Sequence, residues 1–364
     1  MSISEQIPLQ LHRLGVVMEP DPNDPNEVWG VLNPASARKD GELYLFPRVV
    51  AEGNYSRIGI ARVRFDTAGN PVAVERLGFA LEPETAYERG ERSLGGVEDP
   101  RVTYIEPLGY WVMAYTAVSN LGPRIALARS DDLFHWERLG LLDFAETCGT
   151  DFNQFGNKDG MFFPHVVSDP DGKPALALLH RPTYLVHNPD GTVLLEVPCD
   201  VQDERESIWI GYVALEPARQ DPGRLTEVYG SRLLITPEFD WESMKIGGGT
   251  PPVRIPEGWL TFYHGVYGTL SLDPGVPKHV CYSAGALVLN AHDPTSIVYR
   301  SPTPVLEPEK EAERVGIVPN VVFPTAIDVR DNGRLDVYYG MADSKVGVAT
   351  TTVPTRLPEG EETK

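Results

Sequence analysis

Apolar positions along the chain fall in short runs rich in β-branched and aromatic residues, and clusters such as Asp-Gly, Pro-Asp-Gly and Asp-Asn-Gly separate them. Runs of that length between turn residues predict strands joined by tight connections. No segment keeps a helical period for three turns, and only Thr85 to Arg92 has room for one short helix. The pattern predicts an all-β protein.

The runs also repeat. Five segments share a plan of strand, turn, second strand ending in polar or aromatic residues, and third strand; they start near Asn33, Glu98, Lys158, Gly249 and Asn320. The spacing of roughly 60 to 90 residues suits a four-stranded unit with loops. Five such units predict radial repetition, a five-bladed β-propeller formed as one domain over residues 1–364. Propellers close by pairing chain ends, so residues 1–30 are expected to complete a blade begun at the C-terminus, or to contact a neighbouring subunit. Two stacked β-sandwiches are the competing architecture, but they give no reason for five units to begin and end alike.

Composition narrows the partners. The 34 Gly and 33 Pro are spread along the chain, as many tight turns require. A formal charge of -20 argues against nucleic acid or an anionic membrane, whose polyanions the long-range field repels. It leaves room for a small anion in a local basic pocket. Cys148, Cys199 and Cys281 lie far apart without a CxxC or Cys/His spacing, so neither a disulfide nor a zinc site is expected. The N-terminus lacks a basic segment leading into an apolar one, and the expectation is a cytoplasmic protein with free or buried thiols.

In a propeller the innermost strands line a central channel, and polar residues at their ends converge on one mouth. Those residues are Asn33 and Arg48, Asp99 and Arg101, Lys158 and Arg181, His264, and Asp343. Asp99 sits in GGVEDPR, where a partly desolvated carboxyl would have a raised pKa and could donate a proton. The same spacing also fits an Asp that only caps a turn. Lys158, Arg181 and His264 each border an apolar run. Singly they read as members of local salt bridges, with Asp159 the near partner of Lys158; as one ring they read as an anion pocket. Among the aromatics Tyr115, Trp209, Tyr212, Tyr263, Tyr267 and Tyr339, Tyr115 and Tyr263 end their strands on the channel side and could face a sugar. No motif demands a metal.

NPA at 33–35, GGVEDPR at 95–101, NKDGMFFP at 157–164, the Arg181 strand, GGGTPP, YHGV at 263–266, NVVFPT at 320–325 and YYGMADS at 338–344 resemble glycoside hydrolase family 130, the β-mannoside phosphorylases and related β-mannosidases. The resemblance runs from Asn33 to Ala349. It implies a five-bladed propeller in which Asp99 is the sole catalytic acid, protonating the departing oxygen through the 3-hydroxyl of a mannosyl unit. Phosphate would then attack the anomeric carbon from the opposite face and give α-mannose 1-phosphate. Lys158, Arg181 and His264, with Tyr263 beside them, match the positions that cradle phosphate. Asn33, Arg48 and Asp343 would hold the sugar, with Asp159 and Tyr115 on the same side and Arg101 in support. The resemblance implies no cofactor beyond phosphate as co-substrate, and it leaves room for a homo-oligomer.

Two other readings remain open at this point. A hydrolase of the same family would need a second carboxylate to activate water, for which Glu98 and Asp159 are nearest. A non-catalytic sugar-binding propeller would show several equivalent sites, whereas the repeats differ at their inner polar residues.

Overall fold

The computed structural model describes residues 9–90, 95–187, 192–269 and 279–353. Strands make up almost all of the regular structure. Helical segments are short, such as Ala86–Glu88 within the stretch expected to hold a helix; the end of that stretch, beyond residue 90, lies outside the described residues.

Strands Gly30–Lys39, Glu42–Ala51, Tyr55–Phe65 and Pro71–Leu81 run up and down, each antiparallel to the next. The plan recurs in Gly96–Ile105, Tyr110–Ser119, Gly122–Ser130 and Glu137–Leu141. A third unit holds Gly156–Phe162, Pro174–Thr183, Ile208–Ala214 and Glu227–Ile235. In the fourth, the first strand is broken into Lys245–Gly247 and Val253–Ile255, both paired with Gly258–Thr269, and His279–Leu289 and Ile297–Arg300 follow. The fifth runs Val322–Val329, Arg334–Met341 and Lys345–Thr352, and its outer strand is the chain's first, His12–Met18, antiparallel to Lys345–Thr352.

Burial grades from the first strand of a unit to the last. Gly30–Lys39 is buried on both faces over most of its length, whereas Pro71–Leu81 is mainly exposed. A first strand therefore reads as a continuous apolar run, and an outer strand as a mixed one.

The core is divided among the units in order. Ala35, Phe46 and Ile58 pack with Val97, Met113 and Tyr115, joining the first unit to the second. Ile125 and Leu127 meet Phe162, Leu178 and Trp209; Leu179 and Ile210 meet Tyr263 and Leu287; Leu260 and Phe262 meet Leu335 and Val337. A further cluster joins Val346 and Val348 of the fifth unit to Val31, Leu43 and Leu45 of the first. Each sheet thus buries both faces against its sequence neighbours, and a fully buried Leu, Ile or Phe contributes about 1.5–3 kcal/mol to that packing.

First strands carry the feature that builds the site. Their register breaks between Leu32 and Ala35, Glu98 and Arg101, Lys158 and Met161, and Pro324 and Ala326. These are β-bulges, which re-aim a side chain while the flanking strand continues. Asn33, Asp99 and Asp159 occupy three of them with φ of 43°, 46° and 57°. The left-handed region is costly for most residues, and Asn and Asp tolerate it best. Further along the same strands, a cavity of about 420 Å³ is lined by Ser36, Val102, Pro164, Pro251 and Ile327, so all five units border it.

Candidate active site

The bulges bring Asn33 and Asp99 together. Asn33 Nδ2 donates to Asp99 Oδ1 at 2.8 Å, and Arg48 approaches the same oxygen at 3.4 Å. Arg48 also donates to Glu98 at 2.8 Å and to Ser56 Oγ at 2.9 Å, which fixes its guanidinium between the first two units. Burial works to raise the pKa of Asp99, but Arg48, Arg101, Lys158 and the Asn33 hydrogen bond outweigh it and hold the carboxyl below its usual range. The expected rise is therefore not found at Asp99. It is found at Asp343, in the turn after Arg334–Met341, where burial together with Asp99 and Glu98 overcomes Arg48 and Lys158 and lifts the carboxyl to about 6. Two neighbouring carboxyls are pushed apart by their surroundings.

A second cluster forms around Asp159. Arg181 pairs in register with Lys158 across two strands of the third unit, and its Nε donates to Asp159 Oδ2 at 2.7 Å. Its NH1 donates to Glu206, whose carboxylate also lies 3.5 Å from Lys245 Nζ. Burial raises Asp159 less than Arg181, His264 and Arg101 lower it, so it stays ionised. Lys158 makes no hydrogen bond or ion pair of its own among the described residues, and its charge acts on Asp99, Asp343 and Tyr282. Asp159 is thus the partner of Arg181 rather than of Lys158.

Arg101 is fully buried and braces the site from behind. Its Nε donates to Gly249 O at 2.9 Å and NH1 to Asp99 O at 2.6 Å, while NH2 stands 3.7 Å from Asp159 without a hydrogen bond. His264 is buried too, and burial pushes its pKa down to about 3, so the ring is neutral rather than cationic. Its Nδ1 donates to Gly248 O at 3.0 Å, since a carbonyl can only accept. That leaves Nε2 as an acceptor. The glycines of GGGTPP are forced by this crowding: a Cβ at Gly247 would collide with His264 and Asp159, one at Gly248 with Met161, and one at Gly249 with Phe262 O.

Two expected residues lie elsewhere. Tyr263 is buried with its hydroxyl 2.6 Å from Glu242 and 3.1 Å from Arg300 Nε, and Tyr115 donates to Glu88 at 2.6 Å with Arg138 on the same carboxylate. Tyr339 repeats the arrangement with Glu313 and Arg13. In all three, the Glu also accepts two backbone N–H groups at the start of a short turn, as in Glu88 with Glu84 and Thr85. Each trio fastens the segment that leads into a unit onto strands of that unit, and the hydroxyls of Tyr115 and Tyr263 are taken up by these carboxylates.

Sequence reasoning missed Glu206, Lys245 and Tyr282. Lys245 was within reach, because it stands two residues before the glycines of GGGTPP. Tyr282 stacks on His264 at 5.9 Å and feels Arg181, Asp343 and Lys158 together, which puts it between the two clusters.

The cysteines also differ from expectation. Cys148 and Cys199 form a disulfide with Cα atoms 5.3 Å apart, and Cys281 is unpaired. Spacing along the chain carries no information on that distance. The two loops also touch where Cys199 N donates to Thr150 Oγ1 at 2.8 Å. The absence of a disulfide can no longer argue for a cytoplasmic location. Among the described residues, no helix is long and apolar enough to cross a membrane.

The all-β scaffold thus gathers a buried carboxylate pair beside a cluster of Arg181, Lys158 and His264, and its relatives are carbohydrate-active enzymes. The chain belongs to glycoside hydrolase family 130, whose model, described as beta-1,4-mannooligosaccharide phosphorylase, matches residues 5–356. It is 29% identical to a 1,2-beta-oligomannan phosphorylase of Thermoanaerobacter sp. (strain X514), over 92% of this chain and 93% of the relative. A beta-1,2-mannobiose phosphorylase of the same organism is 33% identical over 88% of this chain and 81% of its own length. Among solved structures, the beta-1,2-mannobiose phosphorylase from Listeria innocua superposes with a TM-score of 0.70 at 23% identity, covering 95% of this chain and 97% of that one, a likeness of fold.

Proposed function

We propose that this protein is an inverting phosphorylase that cleaves a β-mannoside with inorganic phosphate and releases α-mannose 1-phosphate. The observation that carries the reading is the pairing of carboxylates and cations. Glu98 and Asp159, the two candidates for a water-activating base, are held by Arg48 and Arg181. What lies beside Asp99 is a cradle of Arg181, Lys245 and Lys158, which suits an anionic nucleophile that needs no base.

Asn33, Arg48 and Asp343 hold the mannosyl unit. A proton passes from Asp99 through the sugar's 3-hydroxyl to the glycosidic oxygen, the C1–O bond breaks, and the displaced sugar leaves as an alcohol. A phosphate oxygen forms the new bond to C1 from the opposite face. Phosphate is the co-substrate, and the reaction as written needs no other cofactor. His264 accepts a hydrogen bond through Nε2, and so prefers a protonated phosphate oxygen.

The same reading makes the five units the blades of one propeller, with the site at a channel mouth. The cyclic sharing of core clusters, the last unit packed on the first, supports it. The relatives are named for both β-1,2 and β-1,4 linkages, and one experiment reads the linkage and the reaction together. The purified protein is incubated with β-1,2- and β-1,4-mannobiose and mannosylglucose, with and without phosphate. Phosphate-dependent mannose 1-phosphate is expected, and Asp99→Asn should lose roughly 10²–10⁴-fold of it. Free mannose formed equally well without phosphate would overturn the reading.

A further inference from the structure

The pocket assigned to phosphate already holds a carboxylate of the chain itself. Glu206 lies two residues before the strand Ile208–Ala214, seven residues after the disulfide at Cys199. It accepts from Arg181 NH1 and lies 3.5 Å from Lys245 Nζ. Arg181 commits its Nε separately to Asp159, at 2.7 Å.

These two carboxylates are not equivalent. Asp159 is set in a bulge, fully buried, and hemmed in by the glycines that follow Lys245. Glu206 comes from a loop on a longer side chain, and 19% of that side chain is exposed. Burial works to raise its pKa, but Arg181 and Lys245 prevail, so the group is ionised. One carboxylate is part of the wall, and the other has a way out.

We propose that Glu206 is a resident stand-in for phosphate: in the empty enzyme its carboxylate sits on Arg181 and Lys245, and an arriving tetrahedral oxyanion displaces it toward solvent. The inference rests on the reading of Arg181 and Lys245 as the phosphate cradle. Without Glu206, Arg181 would keep only Asp159 and Lys245 would lose its carboxylate. A charge short of partners in a desolvated site is costly, so a carboxylate at this spot compensates both cations until substrate arrives. Phosphate offers more acceptor oxygens than a carboxylate and can replace it bond for bond. The consequence is a weakened apparent affinity. A seat that is free about a tenth of the time costs about tenfold in phosphate binding. Glu206 therefore sets the phosphate concentration at which the enzyme works.

Phosphate is titrated calorimetrically into the wild type and Glu206→Gln with no mannoside present. The variant should bind phosphate about tenfold more tightly, and its phosphate KM should fall by a similar factor while the mannoside KM moves little. Equal or weaker phosphate binding would sink the proposal. Wild-type crystals soaked in phosphate provide a check that does not depend on the variant folding. Glu206 should have left Arg181; phosphate bound with Glu206 still in place would equally overturn the idea. The two readings fail separately. Mannoside turnover that ignores phosphate would remove the phosphorylase assignment, yet tighter phosphate binding by Glu206→Gln would still uphold the stand-in. Phosphate-dependent turnover with no gain in affinity would remove the stand-in alone.

Discussion

The residue-scale question is where one proton sits. Asp99 is held ionised by Arg48, Arg101 and Lys158, whereas Asp343 is lifted to about 6 by burial and by its acidic neighbours. The two titrate as a pair, so below about pH 6 the site keeps one proton, and above it none. Asp343 has the raised pKa and the protonated pair is the competent form, so competence is present at low pH and lost as pH rises. For the free enzyme, kcat/KM should be level below about 6 and fall about tenfold per pH unit above it. Asp343→Asn should remove that descending limb and leave a lower, flatter profile. A wild-type profile level through neutrality would show that this pair does not supply the proton. Asp99, Arg48 and Arg181 were picked out in the sequence as polar residues expected at the ends of the inner strands of the repeat. The direction of the shift at Asp99 was not. It depends on cations brought in from other strands, and Arg48 lies 51 residues away along the chain.

Between strands, the trios of Glu, Tyr and Arg explain why two aromatics were misjudged. A tyrosine ending a strand looks the same in sequence whether its hydroxyl meets a ligand or a buried carboxylate. For Tyr263 the deciding partner, Glu242, comes from the turn before Lys245–Gly247, and Arg300 from the last strand of the same unit. Tyr263→Phe should cost about 1–3 kcal/mol, because Glu242 loses one donor but keeps Arg300. Glu242→Ala should cost about 3–5 kcal/mol, because it leaves the buried Arg300 with only the exposed carboxylate of Glu238 as counter-charge. Denaturant unfolding measures both. Phosphate KM for Tyr263→Phe should stay near the wild-type value, and a large rise there with little loss of stability would return Tyr263 to the anion cradle. The short turn at Ala86–Glu88 teaches the same lesson: its Glu is an anchor point for Tyr115 and Arg138, a role no local pattern reveals.

Across the whole molecule, the repeated segments were visible because all five alternate strand and turn in one way. The repeat led to the expectation that residues 1–30 complete the last unit; what alternation could not reveal is the detail of that contact, since it joins residues more than 300 apart. The structure shows the join in detail. His12–Met18 pairs with Lys345–Thr352, Val17 and Met18 enter the core cluster shared by the fifth and first units, and Arg13 reaches Glu313 at 2.8 Å. Removing residues 1–18 would uncover the edge of Lys345–Thr352, withdraw four buried side chains (Leu9, Leu11, Val17 and Met18) worth about 1.5–3 kcal/mol each, and leave Glu313 with Tyr339 but no cation. Losses of that size approach the whole margin of a folded domain, about 5–15 kcal/mol. The truncated chain should therefore unfold well below the full one, or aggregate through its bare edge, and phosphate should raise both unfolding temperatures by a similar amount without closing the gap, because Arg181 and Lys245 lie in other units and keep their site. Thermal unfolding of both chains, with and without phosphate, decides the matter. Equal unfolding temperatures would mean that the fifth unit holds to the first without the N-terminal strand, and that the pairing of this strand adds little to the contact.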